Sequence, residues 1–445
     1  SELTSYGINS AIQYDNVRIE NNEGIIKTSV SMICLKSSSS GEYRVVYKKL
    51  IPKSGECNVY VPEVVNSLIK KISDSAGSNY ITSVKDDNDG NNYVSGNPSN
   101  NYVWYSGKMW RIISYNTSDK TIKMITNDNI SLVTYNTNSN EYVSSNIDLW
   151  LNNNFLRTLK SPDRYLENMN WNYTQSSNSP TSPIAKTDII NDRKVGLLNN
   201  YEYTKVKSIV DISKNFWLIS KASDGKAWYV SNTNTILESD VSEFYGVRPV
   251  VVLSPNVPYI SGVGTIDNPY RLTGDVAANG GTLLNTRYSG EYVKINNVDY
   301  IIIETTQDYT KLVAINTLTI TPSSELQFHD YDNVYSDNTK IGEYLKTWKE
   351  PINDKLTQAD FCLMTIAKTD SQISACTSSR AMSVAIPKIG DMFTVESDKE
   401  YWTLTNHDTD NLYVVNSNAS VSEKGITDTS AVRPVIVLKN DVTIR

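Results

Sequence analysis

Histidine is nearly absent from this chain: His329 and His407 are the only two in 445 residues. Imidazole chemistry therefore needs one of them to meet a partner across the fold, since neither sits in a repeated segment. GxSxG, HExxH, a Walker loop and a Rossmann glycine pattern are all missing, which leaves no hydrolase elbow, zinc-peptidase helix or nucleotide cradle. Long apolar runs are missing too. A membrane span needs roughly 18 to 20 apolar residues, and the longest runs here, "YIIIE" from Tyr300 and "PVVVL" from Pro249, are strand-sized. The chain has no long basic run and a formal net charge of -7. That argues against nucleic acid as a partner, because such binding rests on clustered Lys and Arg.

Cysteine is sparse, and its four residues include no CxxC spacing. With so few histidines, no metal-ligand set is expected, and nothing implies a cofactor. The cysteines fall into two local pairs, Cys34 with Cys57 and Cys362 with Cys376, which read as disulfides; four reduced core cysteines are the plainer alternative. Disulfides, together with a surface rich in Asn, Ser and Thr and with 29 Tyr, favour an oxidising, extracellular setting. No leader precedes Ser1, so contact with a membrane is expected only through an N-terminal helix that has been removed.

What the chain does have is a repeat. "VRPVVVL" at Val247 to Leu253 returns as "VRPVIVL" at Val432 to Leu438, and at the same spacing Phe216-Trp217 falls on Tyr401-Trp402. Upstream, "NYVWYSGKMWRIISYN" from Asn101 matches "EYVKINNVDYIIIETT" from Glu291, with Trp110 on Tyr300. A solenoid unit runs about 20 to 50 residues, so a period this long means whole domains. The division expected is an N-terminal unit over residues 1–85, a first repeat over 86–273 and a second over 274–445, in keeping with roughly 150 residues per domain.

Local patterns give each piece an α+β character. Leu3, Gly7, Ala11 and Tyr14 have the spacing of an amphipathic helix, "GIIKTSVSMICLK" and "GEYRVVYKKLI" suit a hairpin, and "VPEVVNSLIKKI" suits a second helix. Each repeat opens with a hairpin, the first turning at Ser106-Gly107, and continues to a helix near "SNIDLWLNNNFLRTL", where Asn146 can cap. The acidic loop "KDDNDG" resembles a calcium loop poorly, since Lys85 takes the first ligand place when Gly90 is the glycine.

Arg248 and Arg433 are the polar members of apolar strands, and Pro249 and Pro434 beside them imply a bulge or an edge. Each Arg reads as an internal clamp on loop carbonyls or a carboxylate, its stem packed on Trp217 or Trp402, with a ligand anchor as the alternative. Trp217, Trp402, Trp110 and Tyr300 read as core rather than as a binding platform, because they lie in the strands shared by both copies.

The Trp-rich strands, the long inserted loops and the closing "GVRPVVVL" resemble the C-type-lectin-like fold of formylglycine-generating and surface-display domains. "YVWYSGKMWRII", "YGVRPVVVL" and "ISGVGTIDNPYRL" are similar to a domain of secreted and surface proteins of Gram-positive gut bacteria. The resemblance covers residues 95–273, and 290–445 more faintly, where Ala431 replaces the Gly and the Gly-rich exit is missing. "SELTSYGINSAIQYDNV" resembles the soluble end of a type IV pilin first helix. These resemblances imply an α+β chain with a pilin-like N-terminal unit followed by two tandem C-type-lectin-like domains.

Formylglycine-generating relatives act through cysteines, yet Cys362 and Cys376 have no counterparts in the first repeat. Scattered carboxylates such as Asp148, Asp224, Glu343 and Asp408 leave a glycan-acting enzyme as the least favoured reading. The expectation is a non-enzymatic surface protein, a large minor pilin or pilus-tip adhesin whose partners are other pilins or a host surface protein or glycan. A secreted, stand-alone lectin-like protein is the alternative. Loop tyrosines Tyr165, Tyr173, Tyr331 and Tyr335 are candidates for stacking on sugar or for packing their own loops.

Overall fold

The computed structural model of the chain describes three N-terminal strands and residues 67–275, 282–363, 376 and 378–444. The fold is mixed α+β, built mainly from β-sheets with a few short helices. The three strands, Glu23–Lys27, Met32–Ser37 and Tyr43–Tyr47, form one antiparallel sheet, so "GIIKTSVSMICLK" makes two strands rather than one. The amphipathic segment before them and the pairing of Cys34 with Cys57 lie outside the described residues. Cys362 and Cys376 form a disulfide. No helix among the described residues is long and apolar enough to cross a membrane.

In the first repeat, α1 (Leu68–Ser73) buries Leu68, Ile69 and Ile72, and the Leu68 amide bonds Val257 O at 3.0 Å. The helix also holds the segment after it, where Ile81 N bonds Ile72 O at 2.9 Å. The main sheet runs through β1 (Tyr102–Tyr105), β2 (Lys108–Asn116) and β3 (Thr121–Thr126). Between β1 and β2 the turn places Ser106 and Gly107 at φ 53 and 73. Two successive left-handed residues match the twist of a tight hairpin. α2 (Asn200–Val210) starts at a capping box in which Asn199 and Glu202 satisfy each other's backbone amides. β4 (Val250–Leu253) and β5 (Tyr270–Leu272) complete the part of the sheet that matters here, in the order β4-β3-β2-β1-β5.

The second repeat has the same plan with β6 (Tyr292–Ile295), β7 (Val298–Thr305), β8 (Tyr309–Ala314), α3 (Lys340–Trp348) and β9 (Val435–Lys439). Its hairpin turn uses Asn296 and Asn297, at φ 47 and 62. In the place of α1 stands a short 3-10 turn, and Leu284 N bonds Val442 O at 2.8 Å as Leu68 N bonds Val257 O.

Arg-Pro is neither a bulge nor an outer edge but the step at which the chain changes sheets. Val247 pairs with Ser131 in a second, five-stranded sheet, while Val250 pairs with Ile125 in the main one. A proline that cannot donate to a ladder suits a point where one ladder stops and the next begins. The helix near Asn146 is capped by Ser145, whose side chain accepts from Asp148 N, and it widens into a π-helical turn over Trp150–Phe155. Asn146 instead bonds Thr134 Oγ1 at 2.6 Å.

The repeats diverge after "VGLLN" and "VAIPK". Where the first builds α2, the second, with Pro387 and Gly390 at that point, has no helix and runs as an irregular segment over 388–396. This segment docks on the first repeat. Phe393 N bonds Ile130 O at 2.6 Å, Ser131 Oγ donates to Asp391 O at 2.8 Å, and Trp150 Nε1 donates to Gly390 O at 2.8 Å. Buried residues of both repeats belong to one continuous hydrophobic core.

Candidate functional site

Arg248 is 1% exposed, wedged between the two sheets of its repeat. Its Nε and Nη2 donate to Thr126 O at 3.2 and 2.9 Å, Nη2 also reaches Asn127 O at 3.3 Å, and Nη1 donates to Val210 O. Val210 ends α2, so the cation sits at the negative end of the helix dipole. Burial pushes the guanidinium down to about 10, opposed mainly by Asp128. Arg433 repeats the arrangement with Nε on Ala314 O at 2.7 Å, Nη1 on Tyr401 Oη at 3.3 Å and Nη2 on Phe393 O at 3.3 Å.

The stacking partners are the residues before the tryptophans. Arg248 lies 5.0 Å over Phe216, and Arg433 lies 5.1 Å over Tyr401. Trp217 and Trp402 point elsewhere, bonding Val133 O at 2.9 Å and Leu326 O at 2.7 Å. Trp110 bonds Tyr105 O at 3.1 Å, and burial raises the Tyr300 phenol. All four rings lie in the core.

The groups with catalytic potential are scattered. Asp148 is buried and takes Arg193 Nε at 3.2 Å and Asn152 Nδ2 at 3.1 Å, whereas Asp224 and Glu343 stand exposed on separate elements. Asp408 is held down to about 2, first by the Asn411 side chain and then by the Asp410 amide. His407 lies between Asp408 at 2.9 Å and Glu423 at 2.7 Å, closing a surface hairpin. His329 is buried beside Tyr331, ring centroids 4.5 Å apart. Asp86 of the acidic loop bonds Tyr201 Oη at 2.5 Å and Asn88 N at 3.0 Å, which fastens the loop to α2. Among the described residues no three His, Cys, Asp or Glu side chains converge as metal ligands. Of the loop tyrosines, Tyr165, Tyr173 and Tyr335 are buried and Tyr331 is 82% exposed.

Among the described residues, clefts open where the repeats meet. The first, about 360 Å³, is floored by Trp104 and Met109 of the first repeat and by Tyr292, Ile301 and Phe393 of the second. On its rim Lys214 joins Asp128 at 2.6 Å to Glu396 at 3.0 Å. Phe393 has φ 60, a conformation L-residues avoid, and its backbone is held on both sides, by Ile130 O and by Arg433. Strain held in this way is characteristic of sites where a side chain must be aimed. The second cleft, about 260 Å³, lies beside the Cys362–Cys376 disulfide, and there Glu304 accepts Arg157 at 2.9 Å and Lys311 at 3.6 Å. Neither cleft has a sequence signature, because each is assembled from residues far apart in the chain.

Between the clefts lies a buried amine. Lys108 Nζ donates to Ser106 O and Ser289 O, both at 3.0 Å, and to Thr158 O at 3.4 Å, so one side chain ties both repeats. Burial pushes it down to about 7, opposed by Asp275 and Glu291. Burial likewise pushes Asp275 up to about 6. Glu291 itself pairs with Arg287.

Arg248→Ala leaves the carbonyls of Thr126, Asn127 and Val210 unpaired in the core, and is expected to cost at least about 2 kcal/mol in denaturant unfolding. An unchanged midpoint contradicts the clamp. The junction also sets a pH profile. From 3.8 to about 6 the folded chain keeps a proton on Asp275 that the unfolded chain loses, so stability falls with rising pH. From about 7 to 10.5 the folded chain gives up the Lys108 proton that the unfolded chain keeps, so stability rises. A minimum between the two windows is expected in midpoints measured against pH, and Lys108→Met should remove the alkaline rise. A rise that persists in that variant assigns it to another group.

No known protein family matches the chain, and neither a curated protein nor a solved structure is similar to it.

Proposed function

We propose that this chain is the head of an extracellular surface protein of the pilus kind, a large minor pilin or tip adhesin, which binds and does not catalyse. Its two repeats are read as C-type-lectin-like domains carried on a pilin-like N-terminal unit. The ligand is a host or matrix protein or glycan, or a partner pilin, and it enters the cleft between the repeats.

One observation carries this reading. Aromatic rings from both repeats, Trp104, Tyr292 and Phe393, line one open cleft on a frame fixed by buried clamps. Tyr292 is 71% exposed. Aromatic side chains give large contact area for little ordering cost, and a rigid frame keeps that cost low. The chemistry-bearing side chains support the same conclusion, because His407, Asp408, Asp148 and Asp86 are engaged in holding loops and hairpins.

The test has two parts. Mature protein recovered from cell surfaces is expected to carry an N-methylated hydrophobic helix ahead of Ser1, read by mass and fragment sequencing; a mature chain without it overturns the pilus assignment. In a screen against matrix proteins and glycans, Trp104→Ala combined with Tyr292→Ala is expected to weaken binding by at least about tenfold with an unchanged unfolding midpoint. Full binding by that variant overturns the cleft as the site.

A further inference from the structure

The rim of the aromatic cleft shows more acid than base. The side chains of Asp128 and Glu396 are 48% and 50% exposed, whereas Lys214, which bridges them, is 23% exposed. The two carboxylates therefore face solvent more than the one ammonium they share, and one negative charge stays in excess. Asp128 is held in place as well, since its Oδ1 accepts Asn129 N at 2.7 Å. Asn129 also lines the cleft. It is buried with Nδ2 on Asn215 O at 3.1 Å, and its Oδ1 has no hydrogen-bond partner among the described residues. An acceptor left in this way is costly unless a donor reaches it.

Two other cations, Lys108 and Arg433, line the cleft from below. Both are 2% exposed, and their donors go to carbonyls of the chain and to the Tyr401 hydroxyl. What faces a ligand is thus an aromatic floor under an acidic rim. That is the complement of a cation on an apolar stem, which packs its stem on rings and keeps its charge at the edge. The chain makes this pairing within itself. Arg111 lies 4.3 Å over Tyr102, and Arg271 lies 5.6 Å over Trp104, the same ring that floors the cleft.

We propose that the cleft receives an arginine side chain of a partner protein, its stem and guanidinium plane against the aromatic floor and its charge at Asp128 and Glu396. Arginine suits the floor better than lysine, because a planar, weakly hydrated guanidinium stacks on a ring while a compact ammonium holds its water. A carboxylated or sulfated glycan meets two carboxylates of its own sign at the rim. A neutral sugar brings no charge to set against them. Lys214 then acts as a competitor as well as a bridge, since it supplies part of the positive charge that the guest would bring. The inference rests on the reading of this cleft as the binding site, and it selects protein over glycan as what enters.

The probes are the blocked peptide acetyl-Ala-Arg-Ala-amide and the same peptide with citrulline, which has the shape of arginine without its charge. Titrated against the full chain and followed by tryptophan fluorescence, the arginine peptide is expected to bind at least about tenfold more tightly than the citrulline peptide. Added salt should narrow that ratio. Two variants move it in opposite directions: Glu396→Gln is expected to bring it close to one, and Lys214→Met, which removes the competing cation, to widen it. A general loosening of the junction cannot produce both shifts. Equal binding of the two peptides, no binding of the arginine peptide, or a ratio that neither variant changes overturns the proposal. If that happens while a matrix ligand still needs Trp104 and Tyr292, the arginine is wrong and the cleft stands. If no ligand needs those rings, the cleft reading fails and the arginine with it.

Discussion

A guanidinium buried between two β-sheets has to be surrounded by acceptors, and the rest of this molecule is arranged around that requirement. Arg248 and Arg433 each sit where the chain leaves one sheet and enters another, and each binds the end of the third strand of its repeat, at Thr126 and Ala314. The remaining donors differ between the copies. In the first repeat they take the C-terminal carbonyl of α2, and in the second they take Phe393. That difference adds to the contacts that join the halves, because the amide of Phe393 bonds the first repeat at Ile130, beside the bonds of Trp150 to Gly390 and of Ser131 to Asp391. The clamp that closes the second repeat therefore also fixes the segment that docks it.

Much of this was legible in the sequence, and the reason is that repetition filters noise. The Val-Arg-Pro step, the hairpin turns at Ser106 and Asn296 and the tryptophans of the shared strands all recur at matching places, and all lie where the two copies have the same structure. The sheet change at Arg-Pro was less legible. A proline inside an apolar run signals a break in a ladder, but not which sheet takes up each side. The stacking partner was misplaced by one residue, because a strand's period puts neighbours on opposite faces and nothing local says which face holds the Arg.

The clefts were illegible for a different reason. Trp104, Met109, Tyr292 and Phe393 come from segments nearly three hundred residues apart, and Phe393 owes its position to a left-handed backbone held by partners at Ile130 and Arg433. The loop tyrosines left two readings open because composition does not distinguish a buried ring, as Tyr165 and Tyr335 are, from one left in solvent, as Tyr331 is. Where the copies differ, at α2, the sequence showed a loss of similarity. Its consequence, a segment docked on the first repeat, emerges only in the fold.

The central claim is that the Arg433 clamp, through Phe393, makes one cooperative unit of two repeats. The most direct measurement is calorimetric unfolding of Arg433→Met beside the unsubstituted chain. The account requires the two repeats to unfold together in the unsubstituted chain and to separate into two transitions in the variant, with the second repeat melting first. Coincident unfolding of both repeats in Arg433→Met would contradict it.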